Sequence, residues 1–325
     1  MILLKRLPYL YIVFFTVTLA VWGFSVSDLD IISLYRKHFW ALLTMIFGSF
    51  IAGSSPEGSA AIAYPIFTLL LKISPDVARN FAFAIQSIGM TSASLLILGL
   101  KVRVDWKYIK YVTLGGVFGL IAGTYWVVPL ISPPIAKLFF VSLWLSFGII
   151  LWNENRKTDR HVLDTIRNFT SSDALNLIFF GVIGGVISSI FGTGINIFTF
   201  CLMTVYYGIN EKVAVPSSII IMTLETILGF FLHKNIIGDF QTEAYEMWLV
   251  CIPFVIIFAP LGSFVMSKLP RKAIAGFLYF ILVIQFIGAI WVIKPNFEQS
   301  LMSGFTILTG VSLFHFLSKI RKKEI

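Results

Sequence analysis

The chain has 325 residues, of which 58% are hydrophobic and only 13% are charged, with a mean hydropathy of +0.89. A soluble domain carries about 25% charged residues, so this composition excludes a soluble globular protein, and apolar runs without strict alternation exclude a β-barrel. The net charge of +9 comes from lysines and arginines in short connectors and at the C-terminus, which is typical of a polytopic helical membrane protein and predicts no nucleic-acid binding.

The first apolar stretch runs from Pro8 to Val26 and follows a basic start. It is longer than the core of a usual signal peptide, and no small-residue cleavage site follows it. We therefore predict a retained transmembrane helix rather than a cleaved signal, so that residues 1–38 form an N-terminal helix and loop.

The next apolar run is interrupted by "GSSPEGSAAIAYP" at 53–65, which contains glycines, serines, prolines and one glutamate. The pieces on either side, 39–52 and 60–72, are each about 20 Å long as helices, whereas the hydrocarbon core is about 30 Å thick. They form either two halves of one interrupted helix or a hairpin that enters the membrane and returns.

The chain contains a diverged repeat with an offset of 136 residues, which aligns Gly48 with Gly184, Gly58 with Gly194 and Pro134 with Pro270. Identities are few, and the shared order of elements is the stronger sign of duplication.

The first repeat, 39–152, consists of the broken run at 39–72 and then predicted helices at 80–100, 108–131 and 133–152. The second repeat, 173–293, has a broken run (173–191, "GTG" at 192–194, and 195–208) and then helices at 213–232, 244–267 and 270–293. A cytoplasmic linker covers 153–172, and 294–325 hold a last helix at 301–318 and a basic tail.

The distribution of lysine and arginine decides between the two arrangements of the broken runs. If both runs are hairpins and the N-terminus is cytoplasmic, 18 of the 25 basic residues lie inside and the remaining seven lie outside, Lys137 among them. The single-helix arrangement gives a nearly even count. We therefore predict an all-α polytopic membrane protein of two inverted repeats. Each has a re-entrant broken-helix hairpin and three transmembrane helices, with one extra helix at each end, as in secondary transporters.

The two breaks predict a binding site, because irregular backbone at membrane depth needs protein or water partners. Short helices begin near Ser59 and near Ile195, and in the inverted arrangement their N-termini converge, where unpaired N–H groups attract an anion. In the alternative, the glycines serve only tight helix packing. The candidate substrate-binding residues are Gly53, Ser54, Ser55, Glu57, Gly58, Ser59, Gln86, Ser87, Gly192, Thr193, Gly194, Asn196, Thr223 and Glu225.

Two of these candidates are acids within apolar surroundings. Glu57 either caps the short helix that follows it or shares the cavity with the substrate and takes up a proton when an anion binds. Glu225 is expected near the pathway, because intramembrane acids usually face a cavity or a partner. Ser87 and Thr223 occupy matching positions of the two repeats and either line the cavity or bridge helices. We predict no catalytic residue, metal or cofactor.

These residues resemble the sulfite exporter TauE/SafE family, also called the toluene-sulfonate uptake permease family, over roughly 40–293. The resemblance rests on "VRVDWKY" at 102–108 and on small residues around the two breaks, namely Gly53, Gly58, Pro65, Ala78, Gly192, Gly194 and Ala214. "PEGSA" replaces the family's full glycine cluster, and Cys201 stands where a second proline is expected. The resemblance implies a multi-pass transporter of sulfur-containing anions in a bacterial inner membrane.

The predicted function is therefore a permease or exporter of a small anion of the sulfite, sulfonate or sulfoacetate type, which works by alternating access and is not an enzyme. The alternatives are an anion channel that uses the same site and a membrane assembly protein without transport activity. The expected partners are the anion and the lipid bilayer. Proton coupling, the direction of transport and the oligomeric state remain open.

Overall fold

The computed structural model of the protein describes residues 8–59, 63, 66–130, 133–156 and 162–319. Within these ranges the regular secondary structure is helical, apart from one isolated bridge, and eight helices are long and apolar enough to cross a membrane. The chain is therefore a polytopic helical membrane protein, as predicted. Five residues of the predicted short helix at 60–72, namely 60–62, 64 and 65, lie outside the described residues, as do residues 320–325 of the basic tail.

The helices are numbered here in chain order. They are α1 (Tyr9–Ser25), α2 (Ile31–Lys37), α3 (Phe39–Ser54), α4 (Pro75–Gly99), α5 (Trp106–Ala122), α6 (Pro133–Arg156), α7 (Ser171–Phe191), α8 (Ile195–Cys201), α9 (Glu211–Phe231), α10 (Thr242–Lys268), α11 (Arg271–Ile293) and α12 (Phe297–Lys319). Turns of π-helix occur at Ile66–Leu70, Gly123–Val127, Leu202–Tyr206 and Leu232–Ile237. The turn at Leu202–Tyr206 continues α8, so the short apolar helix of the second repeat runs over Ile195–Tyr206.

Local sequence signals explain several helix ends. The Asp105 side chain accepts a hydrogen bond from the Tyr108 N–H at the start of α5. Thr170 and Asp173 form a capping box at the start of α7. At its other end, α7 terminates at Gly192, whose φ of +73° is unfavourable for residues with a Cβ atom.

The α3 segment begins and ends at the same end of the molecule, which we call end A. At its start, Nε2 of His38 lies 2.9 Å from Oε2 of Glu246 in the first turns of α10. After the segment, at the start of α4, Nδ2 of Asn80 donates to Oε1 of Gln241 directly before α10 (3.0 Å). End A is thus the end at which α3, α4 and α10 all begin.

The α7–α8 segment begins and ends at the opposite end, which we call end B. Leu163, before α7, bridges to Ile209, after α8, through two backbone hydrogen bonds of 3.0 and 2.8 Å. Asp105, which follows α4, accepts from the N–H of Ile166 in the same linker (2.8 Å). Because α4 begins at end A and leads to Asp105, these contacts lie at its far end. α7 has 21 residues and α3 has 16, so the arm of the second hairpin is longer than its predicted equivalent.

Glycines bring α3 against α10 and α5 against α7. A Cβ atom on Gly53 would overlap the carbonyl oxygen of Ala259, and one on Gly119 would overlap that of Val182. Small residues permit such close backbone approach where lipid provides no hydrophobic drive between helices. The packing role considered for the glycines therefore applies to Gly53.

Each end carries a partly buried charged cluster. At end A, Arg79 Nη2 lies 3.4 Å from Asp239 Oδ2, and the other oxygen of that carboxylate lies 2.8 Å from Nδ1 of His233. At end B, Arg271 Nη1 lies 3.5 Å from Oε2 of the fully buried Glu211 and donates to the side chain of Asn155 (2.9 Å).

Candidate functional site

The two breaks meet in the interior of the protein. Gly58, in the first break, has a φ of +74°, and a Cβ atom there would overlap Oγ1 of Thr193 in the second break. The same atom would lie 2.8 Å from Cε of Met222 in α9 and 3.0 Å from Oε1 of Gln86 in α4. We call Gly58, Gln86, Thr193, Asn196 and Met222 the junction.

Two hydrogen-bond donors of the junction converge on the sulfur of Met222. Nδ2 of Asn196 donates to this sulfur at 2.9 Å, and Oγ1 of Thr193 lies 3.7 Å from it. A thioether is a weak acceptor, so neither donor has a strong partner there. Oδ1 of Asn196 in turn accepts from the Gly194 N–H (3.3 Å), which fixes the amide at the start of the short helix.

Gln86 joins α4 to the second break. Its Nε2 donates to the carbonyl oxygens of Gly192 (2.9 Å) and Ala82 (3.0 Å), whereas its Oε1 has no hydrogen-bond donor within the described part of the chain. Gly192 also lies against α4, since a Cβ atom on it would come within 2.8 Å of the Arg79 carbonyl oxygen. The break is therefore held by both backbone and side-chain contacts.

The serines of the first break make local hydrogen bonds. Oγ of Ser54 donates to the carbonyl oxygen of Phe50 (2.9 Å), and Oγ of Ser55 donates to that of Ile51 (2.9 Å), both one turn earlier in α3. These hydroxyl protons are thus used within the helix. Ser59 is buried, and its carbonyl oxygen accepts a hydrogen bond from the N–H of Ala63 (2.8 Å).

Ser87 and Thr223, which the repeat aligns, have different partners. Ser87 Oγ donates to the carbonyl oxygen of Ala84 in its own helix (2.8 Å). Thr223 Oγ1 lies 2.7 Å from Oγ of Ser94, so it joins α9 to α4 by a hydrogen bond between side chains.

Glu57 is fully buried, and its partners lie outside the junction. Nε2 of Gln285 in α11 donates to its Oε2 at 3.1 Å. Lys137 near the start of α6 interacts electrostatically with this carboxylate and is itself only 3% exposed. Lys137 is one of the seven basic residues that the charge count places outside, and its side chain is buried in the protein rather than exposed to solvent. Ala60, Ala61 and Ile62, where a cap by Glu57 would act, lie outside the described residues.

Glu225 lies beside the second break rather than at the junction. It is 1% exposed, and a Cβ atom on Gly116 of α5 would lie 2.6 Å from its Oε2 and 2.5 Å from Cδ1 of Ile195. Neither carboxyl oxygen has a hydrogen-bond partner among the described residues.

Three residues that make these contacts, Met222, Lys137 and Gln285, are not among the candidates predicted from the sequence. The repeat offset pairs Gln86 with Met222 (86 plus 136), so alignment of the two repeats contained the signal for Met222. Lys137 and Gln285 are isolated polar residues within apolar helices, which is a signal of buried polar contacts. Their shared partner Glu57 could not be read from the sequence, because the three residues belong to distant segments.

The chemistry of the junction is that of a small buried polar site. Within the described ranges, no group of three or more His, Cys, Asp or Glu residues is placed to hold a metal ion. The side-chain donors at the junction are an amide and a hydroxyl, and the Ile195–Tyr206 helix begins beside them with its positive dipole end. Such groups can bind an anion by hydrogen bonds without a change of protonation.

A comparison with family models gives one match, to the sulfite exporter TauE/SafE family, over residues 41–289. No curated protein and no solved structure matches the chain. The matched region contains both breaks, the junction and the helices from α4 to α10, and it covers more than half of the 325 residues. The resemblance noted in the sequence is thereby confirmed, and the chain belongs to the sulfite exporter TauE/SafE family of membrane transport proteins.

Proposed function

We propose that this protein is a secondary transporter that carries a small sulfur-containing anion, of the sulfite, sulfonate or sulfoacetate type, by alternating access around the junction. Membership of the family supports transport of a sulfur anion across a bacterial inner membrane. The meeting of the two breaks at Gly58 and Thr193 is the observation that carries the proposal, because it gives the anion a site inside the membrane domain.

The donors of the junction support binding of an anion. Asn196 Nδ2 and Thr193 Oγ1 face the sulfur of Met222, and an anion oxygen is a much stronger acceptor than a thioether. In our proposal a flexible methionine side chain gives way to the substrate, and both donors turn to it. The positive φ values of Gly58, Gly192 and Gly194 permit the irregular backbone that brings the two breaks together.

The repeat supports alternating access. We propose inverted repeats over 39–152 and 173–293, with the α3 segment entering from end A and the α7–α8 segment entering from end B. The repeat offset of 136 residues pairs Gly53 with Ser189 and Gly123 with Ala259. Both pairs are in close contact, since a Cβ atom on Gly53 would overlap the Ala259 carbonyl oxygen and one on Gly123 would overlap Oγ of Ser189. Such equivalent packing lets the two halves exchange conformations. Both termini are proposed to be cytoplasmic.

Transport in proteoliposomes tests the proposal. Purified protein is first screened by thermal shift with sulfite, thiosulfate, taurine, sulfoacetate, phosphate and acetate. Uptake of radiolabelled sulfoacetate is then measured against its concentration. We expect stabilisation by sulfur oxyanions and saturable uptake, whereas a large passive conductance would indicate a channel. Neither binding nor flux would indicate a membrane protein without transport activity.

Gly58→Ala tests the site, because the added methyl group overlaps Thr193 at the junction. We expect loss of sulfoacetate binding and uptake. Gly238→Ala is the matched control, since Gly238 has nearly the same φ (+75°) but no heavy atom within 4 Å of an added Cβ atom. It therefore introduces the same backbone strain without the contact. Wild-type binding and uptake in Gly58→Ala would contradict the proposed site.

A further inference from the structure

Glu225 is a buried acid without a compensating group. Its side chain is enclosed by Gly116 of α5 and Ile195 of the second break, and both oxygens lack a hydrogen-bond partner in the part of the chain that the structure describes. Burial of a carboxylate without a donor or a cation is very unfavourable, whereas a neutral carboxylic acid is tolerated.

The helices packed around Glu225 carry no titratable side chain at its level. The titratable residues of α4 are Asp76 and Arg79, and those of α5 are Lys107, Tyr108, Lys110 and Tyr111, all of them in the first turns of their helices. The other elements packed on α9 carry Cys201, Tyr206, His233, Lys234, Arg271, Lys272 and Tyr279. In the π-helical turn that continues α9, His233 is eight positions from Glu225, about 12 Å along a helix. No described lysine, arginine or histidine is therefore placed to pair with this acid.

The other interior acid has partly compensating surroundings, although its Oε1 also lacks a hydrogen-bond partner among the described residues. Glu57 accepts a hydrogen bond from Gln285 and lies within the electrostatic range of Lys137. A hydrogen-bond donor and a nearby cation offset part of the free-energy cost of burying a carboxylate. The two acids thus differ in their neighbours, because Glu57 has a hydrogen-bond donor and a cation nearby and Glu225 has neither among the described residues.

A proton is the ion that suits the surroundings of Glu225. A sodium ion requires several oxygen ligands, whereas Glu225 lies against the methyl end of Ile195 and the backbone of Gly116. The offset pairs Glu225 with Gly89, so the first repeat has no equivalent acid and the carrier has one such group.

We propose that Glu225 is the proton-binding site that couples anion transport to a proton gradient. The carboxyl group holds one proton while the second break covers it. When the segment that begins at Ile195 moves and water reaches the group, the proton leaves to that solution and a carboxylate remains until it takes up another. This inference rests on the transport function proposed above, and it assigns the coupling proton to Glu225 rather than to Glu57.

Infrared spectroscopy of the purified protein tests proton binding without a need for transport. A protonated carboxyl group has a carbonyl stretching band that a carboxylate lacks. We expect Glu225→Gln to remove such a band at neutral pH and Glu57→Gln to leave it. A spectrum of Glu225→Gln that keeps the whole band would overturn the assignment, whatever the protein transports.

Proteoliposomes with a pH gradient test the coupling. Sulfoacetate is the probe, because its two acidic groups stay ionised near neutral pH. We expect uptake by the wild type to follow the direction of the gradient and to continue when choline replaces sodium, and we expect the flux of Glu225→Gln to lose its response to the gradient. Glu225→Asp, which retains a carboxyl group, should recover the response even if the glutamine variant does not transport.

The possible failures are distinguishable. Gradient-driven uptake by Glu225→Gln, or failure of Glu225→Asp to restore a response that Glu225→Gln has lost, would overturn the role of Glu225. So would dependence of wild-type uptake on sodium. Absence of any sulfoacetate flux in the wild type would instead contradict the proposed transport function, and the infrared band would still decide whether Glu225 holds a proton.

Discussion

At the scale of single residues, the two side-chain donors of the junction, Thr193 and Asn196, make only weak hydrogen bonds. Thr193 and Asn196 are oriented by contacts with Met222 and with each other, and these contacts are weak because one acceptor is a thioether and the distance between Thr193 Oγ1 and Asn196 Oδ1 is 3.4 Å. The cost of replacing them with bonds to a substrate is therefore small. In the proposed complex, a bound anion would accept hydrogen bonds from Thr193 and Asn196 in place of these weak contacts.

Thr193→Val removes one donor and keeps the shape of the side chain. A hydrogen bond to a charged group contributes about 1.5–3 kcal/mol, so we expect the dissociation constant for sulfoacetate to rise about 10- to 100-fold. Thr204→Val is the control, because Thr204 lies outside the junction and its hydroxyl donates to carbonyl oxygens of its own helical segment. Equal affinities of the two variants, measured by calorimetry, would remove Thr193 from the site.

The residues of the two breaks can be predicted from the sequence better than the side chains that contact them. Gly58, Gly192 and Gly194 were recognised because glycines between two short apolar helices predict irregular backbone, and all three have positive φ values. Ser54 and Ser55 were expected as donors, but hydroxyls at a helix end can bond to the preceding turn, as both do. Which side chain meets which break depends on packing between distant segments.

At the scale of helices, each hairpin is supported by a neighbour that it contacts through glycines. Gly53 of α3 lies against Ala259 of α10, and Gly262 of α10 lies against Phe50 of α3. Ser263 Oγ adds a hydrogen bond to the carbonyl oxygen of Gly53 (2.8 Å). The first break therefore continues directly from a rigid interface between two helices.

Gly53→Ala tests this interface. The added methyl group overlaps the Ala259 carbonyl oxygen, so α3 and α10 must separate, and we expect a lower melting temperature. Gly276→Ala is the control within α11, where an added Cβ atom meets nothing within 4 Å. Alanine is favoured over glycine in a helix by about 0.5–1 kcal/mol, so this variant should be as stable as the wild type or more stable. A melting temperature of Gly53→Ala equal to that of Gly276→Ala would contradict the close contact.

Most helices were predictable from their apolar runs, and their exact ends were less so. The helix predicted at 133–152 continues to Arg156, since polar residues can extend a helix beyond the apolar region. The short α2 at Ile31–Lys37 was not predicted, because its seven residues are too few for a periodic pattern. Its start at Asp30, whose side chain accepts from the Ser33 N–H, is a capping signal that was available in the sequence.

At the scale of the whole molecule, the contacts at ends A and B agree with the proposed inverted arrangement, in which the two hairpins open toward opposite ends, and the two breaks meet in the interior. The sequence favoured this arrangement through the distribution of lysine and arginine, a pattern that reports the side of a loop rather than its contacts. Meeting of the two breaks follows from the packing of α4 and α9, which contact both of them.

Labelling of introduced cysteines tests the orientation of the molecule. Lys37 at end A and Arg103 at end B have exposed side chains (58% and 77%), whereas the native Cys201 and Cys251 are buried. We expect an impermeant maleimide to label Lys37→Cys in intact spheroplasts and Arg103→Cys only after permeabilisation. Labelling of both from the outside would contradict opposite entry of the hairpins.

The charged clusters at the two ends differ in composition, although the helices around them are related by the repeat. One consists of an arginine, an aspartate and a histidine, and the other of an arginine, a glutamate and an asparagine. If the protein works by alternating access as proposed, opening of either face would break the cluster there, and we expect the two conformations to differ in energy because the clusters differ. The resting orientation of the proposed carrier would then depend on these few unmatched side chains, while the direction of net flux depends on the gradients that the cell maintains.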